Sequence, residues 1–158
     1  LKKMFLSHVF GHINDKYINL GINGKMSELH AAMGICVLNK IDSIIKNRQE
    51  ITSFYDINLS PKLKKLELRD KTEHNYSYYP IIFDDEKKLN KIMTTLNNNN
   101  IFPRRYFYPS LNTMPFLNNK KHLPLSEHIS KTIICLPMYK GLNAVTLSKI
   151  TKLINKNL

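Results

Sequence analysis

The chain has 158 residues, 42% of them apolar and 23% charged, which suits one globular domain with a real core and excludes a disordered tail. Its formal charge of +12 would suit a polyanion, but the lysines stand mostly singly, as at Lys40, Lys46, Lys91, Lys149 and Lys152, which fits solvated helix faces better than a nucleic-acid groove. Cys36 and Cys135 lie far apart in apolar runs with no C-x-x-C spacing, so the expectation is reduced, buried thiols in a cytoplasmic protein, with no disulfide and no metal site.

The chain opens on Leu1, and "LKKMFLSHVFGH" has no obvious structural register, which reads as the interior of a longer protein. That run is too short and too interrupted for a signal peptide or a membrane span, and no later window supplies a spanning helix, so no membrane partner is expected. "GINGKMSELHAAMG" (21–34) follows, with Ser27 as the N-cap of a long helix running to about Asp56. Leu29, Met33, Val37, Ile41, Ile44, Ile51 and Tyr55 carry its i, i+3/i+4 rhythm. Residues 31–38 are apolar nearly all round and should be buried on more than one side, whereas 39–56 are plainly amphipathic.

A turn at Ser60 and Pro61 leads to a short strand, and "HNYSYYPIIF" (74–83), rich in aromatic and branched residues, predicts a better one. "DDEKKLNKIMTTLNNNN" (84–100) opens with acids, places Leu89, Ile92, Met93 and Leu96 on one face and ends in an Asn turn, which predicts a helix. "IFPRRYFYP" (101–109) is extended and punctuated by prolines. "LPLSEHISKTIICLPMY" (123–139) reads as a short helix and a strand centred on Ile134. A last helix is capped at Asn143, with Val145, Ile150 and Ile154 inward. These elements make an α+β (α/β) layer, a small antiparallel sheet with helices on one side.

Two stretches carry chemistry. Gly21 and Gly24 permit positive φ, so the backbone could curl and offer its amides to an anion beside Asn23, Lys25 and the N-terminus of the following helix, as a phosphate site requires. The plainer alternative is a Gly-rich loop leading into a helix, with a solvated Lys. Arg104 and Arg105, set between Pro103 and Tyr106, could hold a diphosphate with aromatic rings against a sugar or base. There the alternative is a surface turn with snorkelling arginines. His74, His122 and His128 offer no mutual geometry.

Read in order, "GINGKMSELHAAMG" resembles the G-x-N-x-(R/K)-M-x-E-x-x-A-A segment of the DegT/DnrJ family of pyridoxal-phosphate-dependent nucleotide-sugar aminotransferases. The resemblance continues through "LNKIDSIIKNRQEI", "HNYSYYPIIF", "PRRYFYPSLNTMPF" and "LPLSEHISKTIICLPMY", from about Phe10 to the end. It is closest to the branch acting on dTDP-4-oxo-6-deoxy-hexoses. It implies the C-terminal part of a fold-type I transferase. Residues 1–38 would end the large cofactor-binding domain and 39–158 would form the small α+β domain, with the long helix bridging them. It further implies pyridoxal 5'-phosphate as cofactor, glutamate as the common amino donor, a nucleotide-linked 4-keto sugar as acceptor, and a homodimer with shared active sites.

Residue by residue, Asn23 matches the Asn that reaches the cofactor phosphate of the dimer partner, and Lys25 stands where most relatives have Arg. Tyr108 and Pro109 match a segment bordering the substrate pocket, and Asn112 stands where many relatives have His. With Arg104 and Arg105, Tyr108 and Asn112 make the expected substrate-binding set. Ser126, His128 and Lys131 copy the spacing of the family's S-x-H-x-x-K Schiff-base motif, but "TIICLP" follows in place of its glycine turn. Lys131 therefore reads as a solvated helix Lys, the reactive Lys is expected before residue 1, and no catalytic residue is expected in this chain. Two rivals remain: a basic α+β nucleic-acid-binding module stacking bases on Arg104, Arg105, Tyr106 and Tyr108, and a non-catalytic regulatory relative of the aminotransferases.

Overall fold

The computed structural model describes residues 2–8, 12–13, 16–17, 21–24, 26–106, 108–113 and 121–158. The chain divides into two compact units, Leu1–Asp42 and Ser43–Leu158.

The first unit holds helix α1 (Lys2–His8), strands β1 (His12–Ile13) and β2 (Lys16–Tyr17), helix α2 (Glu28–Leu38) and the first residues of α3. α1 occupies a stretch without register in the sequence. β1 and β2 pair antiparallel, His12 opposite Tyr17. Ser27 caps α2 as expected, in an extended conformation, its side chain accepting from the His30 N–H at 3.3 Å.

The single long helix expected from Ser27 to Asp56 is two helices. α2 stops at Leu38, Asn39 and Lys40 form a turn, and α3 runs Ile41–Asn58. The Lys40 N–H bonds to the Val37 carbonyl at 2.9 Å, a three-residue reach that tightens the last turn, and Asn39 is a weak helix former. The expected burial of 31–38 is not met within this chain: α2 has no buried residue, and Leu29, Met33, Ile35, Val37 and Leu38 are 47% to 72% exposed. Cys36, expected buried, is exposed on the same helix.

The second unit builds the core. After α3 come β3 (Lys64–Lys65), β4 (Tyr79–Ile82), α4 (Glu86–Asn97), a 3-10 turn (Leu111–Thr113), α5 (Pro124–Thr132), β5 (Ile133–Leu136) and α6 (Ala144–Lys156). The sheet order is β3-β4-β5, antiparallel throughout, with Tyr79 opposite Leu136 and Ile81 opposite Ile134. The strand expected over 74–83 is confined to four residues. Alternation along it buries Tyr79, Ile81 and Phe83, which join Ile134 and Leu136 in one core with α3, α4 and α6.

Each helix facing that core carries its own stripe. α4 buries Leu89, Ile92 and Leu96, with Met93 half-buried, and Asp85 caps it by accepting from the Lys88 N–H at 2.8 Å. The asparagine run closes it: Asn100 takes φ 60°, the Ile101 N–H reaches the Leu96 carbonyl at 3.0 Å, and the Asn100 N–H reaches that of Asn97 at 3.0 Å, the Schellman pattern. α6 is capped by Asn143 and buries Leu147, Ile150, Thr151 and Ile154. Val145, expected inward, lies off that stripe in the first turn and is exposed. Tyr55 of α3 ties to the sheet, its ring 4.9 Å from that of Tyr79 and its hydroxyl donating to the Pro137 carbonyl at 3.1 Å. Burial pushes the Tyr55 hydroxyl well above the ordinary phenol range.

Candidate active-site residues

In the first unit, Asn23 lies in an extended stretch pinned to α1. The Ile22 N–H bonds to the Ser7 carbonyl at 2.7 Å and the Gly24 N–H to that of His8 at 2.8 Å. Asn23 is exposed. Gly24 serves a purpose other than the expected positive φ: a Cβ there would stand 2.9 Å from the His8 Cβ and 3.4 Å from its Cα, so the missing side chain is what permits the close approach. Lys25, expected beside Asn23, lies outside the described residues. His8 and His12 have the four-residue separation of helical metal ligands, a spacing that reading by cysteines overlooks. α1 ends at His8, however, so the two do not share a helical face.

In the second unit, alternation along 104–106 sends the two arginines to different surroundings. Arg104 and Cys135 exchange both backbone hydrogen bonds, at 2.9 and 2.8 Å, which lays this segment beside β5 as an added strand position. The Arg104 guanidinium carbon lies 5.2 Å from the centre of the Tyr106 ring, and the Tyr106 and Tyr78 hydroxyls share a hydrogen bond of 2.7 Å. That bond holds the Tyr78 hydroxyl above its ordinary pKa, against the pull of Arg104. Burial likewise raises the Cys135 thiol, with Arg104 opposing.

Arg105 is committed inside the fold. It pairs with Glu86 at the start of α4, donates to the Lys131 carbonyl at 3.2 Å, and lies 3.5 Å above the Tyr108 ring. The hydrogen bond from Arg105 holds the Glu86 carboxyl below the usual range. Asn112 is committed too. Its amide donates to Glu127 Oε1 at 2.7 Å and to the Lys121 carbonyl at 2.8 Å, while its own oxygen accepts from Ser110. Glu127 also accepts from the Leu123 N–H at 2.9 Å, and that bond, with the one from Asn112, lowers its pKa. Lys131 sits exposed in the last turn of α5, as the sequence reading has it.

The expected substrate set therefore falls into groups: Arg104 with Tyr106 and Tyr78, Arg105 with Tyr108 and Glu86, and Asn112 with Glu127. The four residues of the base-stacking platform divide between the first two of these. One residue that sequence reasoning missed is Arg48. It lines a cavity of about 680 Å³ together with Arg104, Tyr78, Asn100, Cys135 and Tyr139. The signal was present, since Arg48 falls between Ile44 and Ile51 on the inward stripe of α3, where an apolar residue is expected.

The DegT/DnrJ/EryC1/StrS aminotransferase family model matches residues 2–155. The chain belongs to that family. It is 37% identical over 143 residues to an Escherichia coli dTDP-4-amino-4,6-dideoxy-D-glucose transaminase, covering 85% of this chain and 38% of that protein. It is 35% identical over 126 residues to a Vibrio cholerae GDP-perosamine synthase, covering 76% of this chain and 34% of that one. The chain thus spans between a third and two fifths of these curated relatives. Among solved structures, a Helicobacter pylori aminotransferase of pseudoaminic acid biosynthesis superposes with a TM-score of 0.74 at 23% identity, over 99% of this chain and 45% of that one. That likeness supports the α+β architecture of the C-terminal portion. Among the described residues no helix is long and apolar enough to cross a membrane.

Proposed function

We propose that this chain is the C-terminal part of a cytoplasmic pyridoxal-phosphate-dependent aminotransferase. It passes the amino group of an amino acid, glutamate in the first instance, to a nucleotide-linked 4-keto-6-deoxy sugar for lipopolysaccharide or another cell-surface or natural-product glycan. The observation that carries this is the 37% identity to a dTDP-4-amino-4,6-dideoxy-D-glucose transaminase across 85% of the chain. On the domain division, residues 1–38 close the cofactor domain and 39–158 form the small one.

The chain's own residues fit one edge of a cofactor site. Asn23 is exposed in the stretch before α2, its amide is a donor suited to a phosphate, and Lys25 follows it in sequence. When bound, pyridoxal phosphate supplies the electron sink of the reaction. Lys131 does not complete that site, because it stands solvated at the end of α5. The exposed apolar α2 supports a homodimer in which Asn23 serves the neighbouring subunit's site. At the substrate end, Arg104 is the proposed contact, whereas Arg105, Tyr108 and Asn112 would act by shaping the border of the pocket.

The test is turnover of dTDP-4-keto-6-deoxyglucose with glutamate by the whole enzyme, the expected product being the 4-amino sugar. Absence of amination with any nucleotide-linked keto sugar overturns the reading. Mixing an Asn23→Ala enzyme with one lacking its Schiff-base Lys tests the shared site. Activity reappears on subunit exchange if Asn23 acts across the interface. It stays absent, with exchange demonstrated, if Asn23 serves its own subunit.

A further inference from the structure

Asn23 and Gly24 form the one Asn-Gly pair of the sequence, and Asn23 is exposed. Such a pair carries chemistry of its own. Gly24 has no side chain to hinder its backbone nitrogen, which can attack the carbonyl carbon of the Asn23 side-chain amide. Among the described residues no hydrogen bond engages the Asn23 side chain.

The nitrogen, by contrast, is held. The Gly24 N–H donates to the His8 carbonyl at 2.8 Å, and the Ile22 N–H donates to that of Ser7 at 2.7 Å. Both acceptors belong to the last turn of α1. The clasp is close, since a Cβ on Gly24 would stand 2.9 Å from the His8 Cβ. Cyclisation needs the opposite: a nitrogen that has released its proton, and an Asn23 backbone free to turn that nitrogen toward the side chain. Pinned at Ile22 and Gly24, the stretch offers neither. Yet the clasp is weak. α1 has seven residues, a length at which a helix is marginal on its own, and its Met4 and Phe5 are 71% and 59% exposed.

We propose that Asn23 is a site of spontaneous deamidation and that the docking of α1 against residues 22–24 sets its rate. When the clasp opens, the Gly24 nitrogen gives its proton to water or hydroxide and bonds to Asn23 Cγ. The side-chain nitrogen takes up a proton and leaves as ammonia. The five-membered imide so formed adds one water at either carbonyl and opens to aspartate or isoaspartate. Both products carry a new negative charge, and isoaspartate also lengthens the main chain by one carbon. Water is the only co-reactant. A carboxylate at a position proposed to meet a phosphate would repel it; that consequence rests on the function proposed above, whereas the chemistry does not.

The full chain is held in mildly alkaline buffer, folded and in urea, and the tryptic peptide containing Asn23 is followed for a gain of one mass unit. Labelling by isoaspartyl methyltransferase marks the isoaspartate. Hydrogen exchange at the Gly24 amide is measured alongside, because it too requires that N–H to be released. The folded chain is expected to deamidate more slowly than the unfolded one by roughly ten-fold or more, and by about the factor that slows its Gly24 exchange. Leu6→Pro, which interrupts α1, should bring both rates toward those of the unfolded chain. Gly24→Ala separates opening from reaction: exchange at Ile22 quickens while deamidation falls, because the new Cβ shields the nitrogen.

Equal rates in the folded and unfolded chains overturn the proposal. So does a Leu6→Pro chain whose Gly24 amide exchanges freely while Asn23 is modified no faster. Absence of aspartate and isoaspartate even in urea overturns the chemistry outright. None of these readings passes through turnover. An enzyme that fails to aminate its keto sugar leaves this inference standing, and an Asn23 that never reacts leaves the aminotransferase reading standing.

Discussion

α2 and α4 are nearly equal in length, 11 and 12 residues, yet they stand in opposite relations to water. α4 is largely polar and buries Leu89, Ile92 and Leu96 completely or nearly so; α2 is apolar on every side from Ala31 onward and has no buried residue. Amphipathic period says that a helix finds its cover within its own unit. Apolar residues all round say that the cover comes from outside it. An all-apolar helix left in water forfeits roughly 25 cal/mol for each Å² of apolar surface, which a soluble protein does not tolerate over a large patch.

The largest expected effect comes from breaking the side that is already covered. Leu89 is 0% exposed, and Leu89→Ala should cost about 2–5 kcal/mol, the transfer term plus the cavity it leaves. Met33→Ala on α2 should change the stability of the same chain by no more than about 0.5 kcal/mol. Urea denaturation of the two variants settles it. Comparable losses would mean that α2 has cover within the chain after all, and the contrast would collapse.

Next in size is a tight point in the first unit. Gly24→Ala puts a Cβ 2.9 Å from that of His8, on a stretch whose two backbone bonds to α1 leave it little room to move. Overpacking of this kind costs about 1–3 kcal/mol. Amide exchange at Ile22 and Gly24 should quicken in the variant while α4 and α6 keep their protection. Unchanged exchange at those two amides would mean that the close approach contributes nothing.

The same contrast explains what could be read from residues alone. Elements whose partners lie nearby in their own unit were legible: the caps Ser27 and Asn143, the stripe on α4, the strand at Ile134 and the Asn turn after α4 all follow from local pattern. The break at Asn39 was not, because the i, i+4 rhythm runs straight through it and only a three-residue hydrogen bond betrays the turn. The apolar run of 31–38 states a need for cover on more than one side, and α2 finds none of it among the described residues, since pattern states the need for cover and not who provides it. At the site, adjacent arginines look alike in sequence. Their difference is tertiary, because Glu86, nineteen positions away, claims Arg105 and leaves Arg104 to the cavity. Arg48 breaks the apolar stripe of α3, but the wall it shares with Arg104 is tertiary, Arg104 being brought there by pairing with β5.

A smaller effect tests how finely the second unit is finished. Asn100 holds φ 60°, a conformation that Gly adopts without steric penalty. Asn100→Gly should therefore leave the fold intact and stabilise it by roughly 0.5 kcal/mol, seen as a small rise in the denaturation midpoint. A loss of stability would show that the Asn side chain, and not its backbone conformation, is what this cap needs.

The smallest effect is expected at the rim, where Arg105 meets Glu86 in partial contact with water. The hydrogen bond from Arg105 keeps the folded Glu86 carboxyl below its unfolded pKa. A carboxylate depressed in this way adds stability that is fully present above the unfolded value, about pH 4.3, and is lost as the pH falls through the folded value. Comparing the wild-type chain with Glu86→Gln from neutral pH downward isolates that contribution. The advantage of the wild type should stay level to about pH 5 and then shrink with acid, since both chains carry an uncharged group there once Glu86 takes up its proton. Other carboxylates titrate over the same range in both chains, so only the difference between them reports Glu86. An advantage that is unchanged down to pH 3 would mean that the contact acts by shape, with Arg105 held by the Lys131 carbonyl and the Tyr108 ring alone.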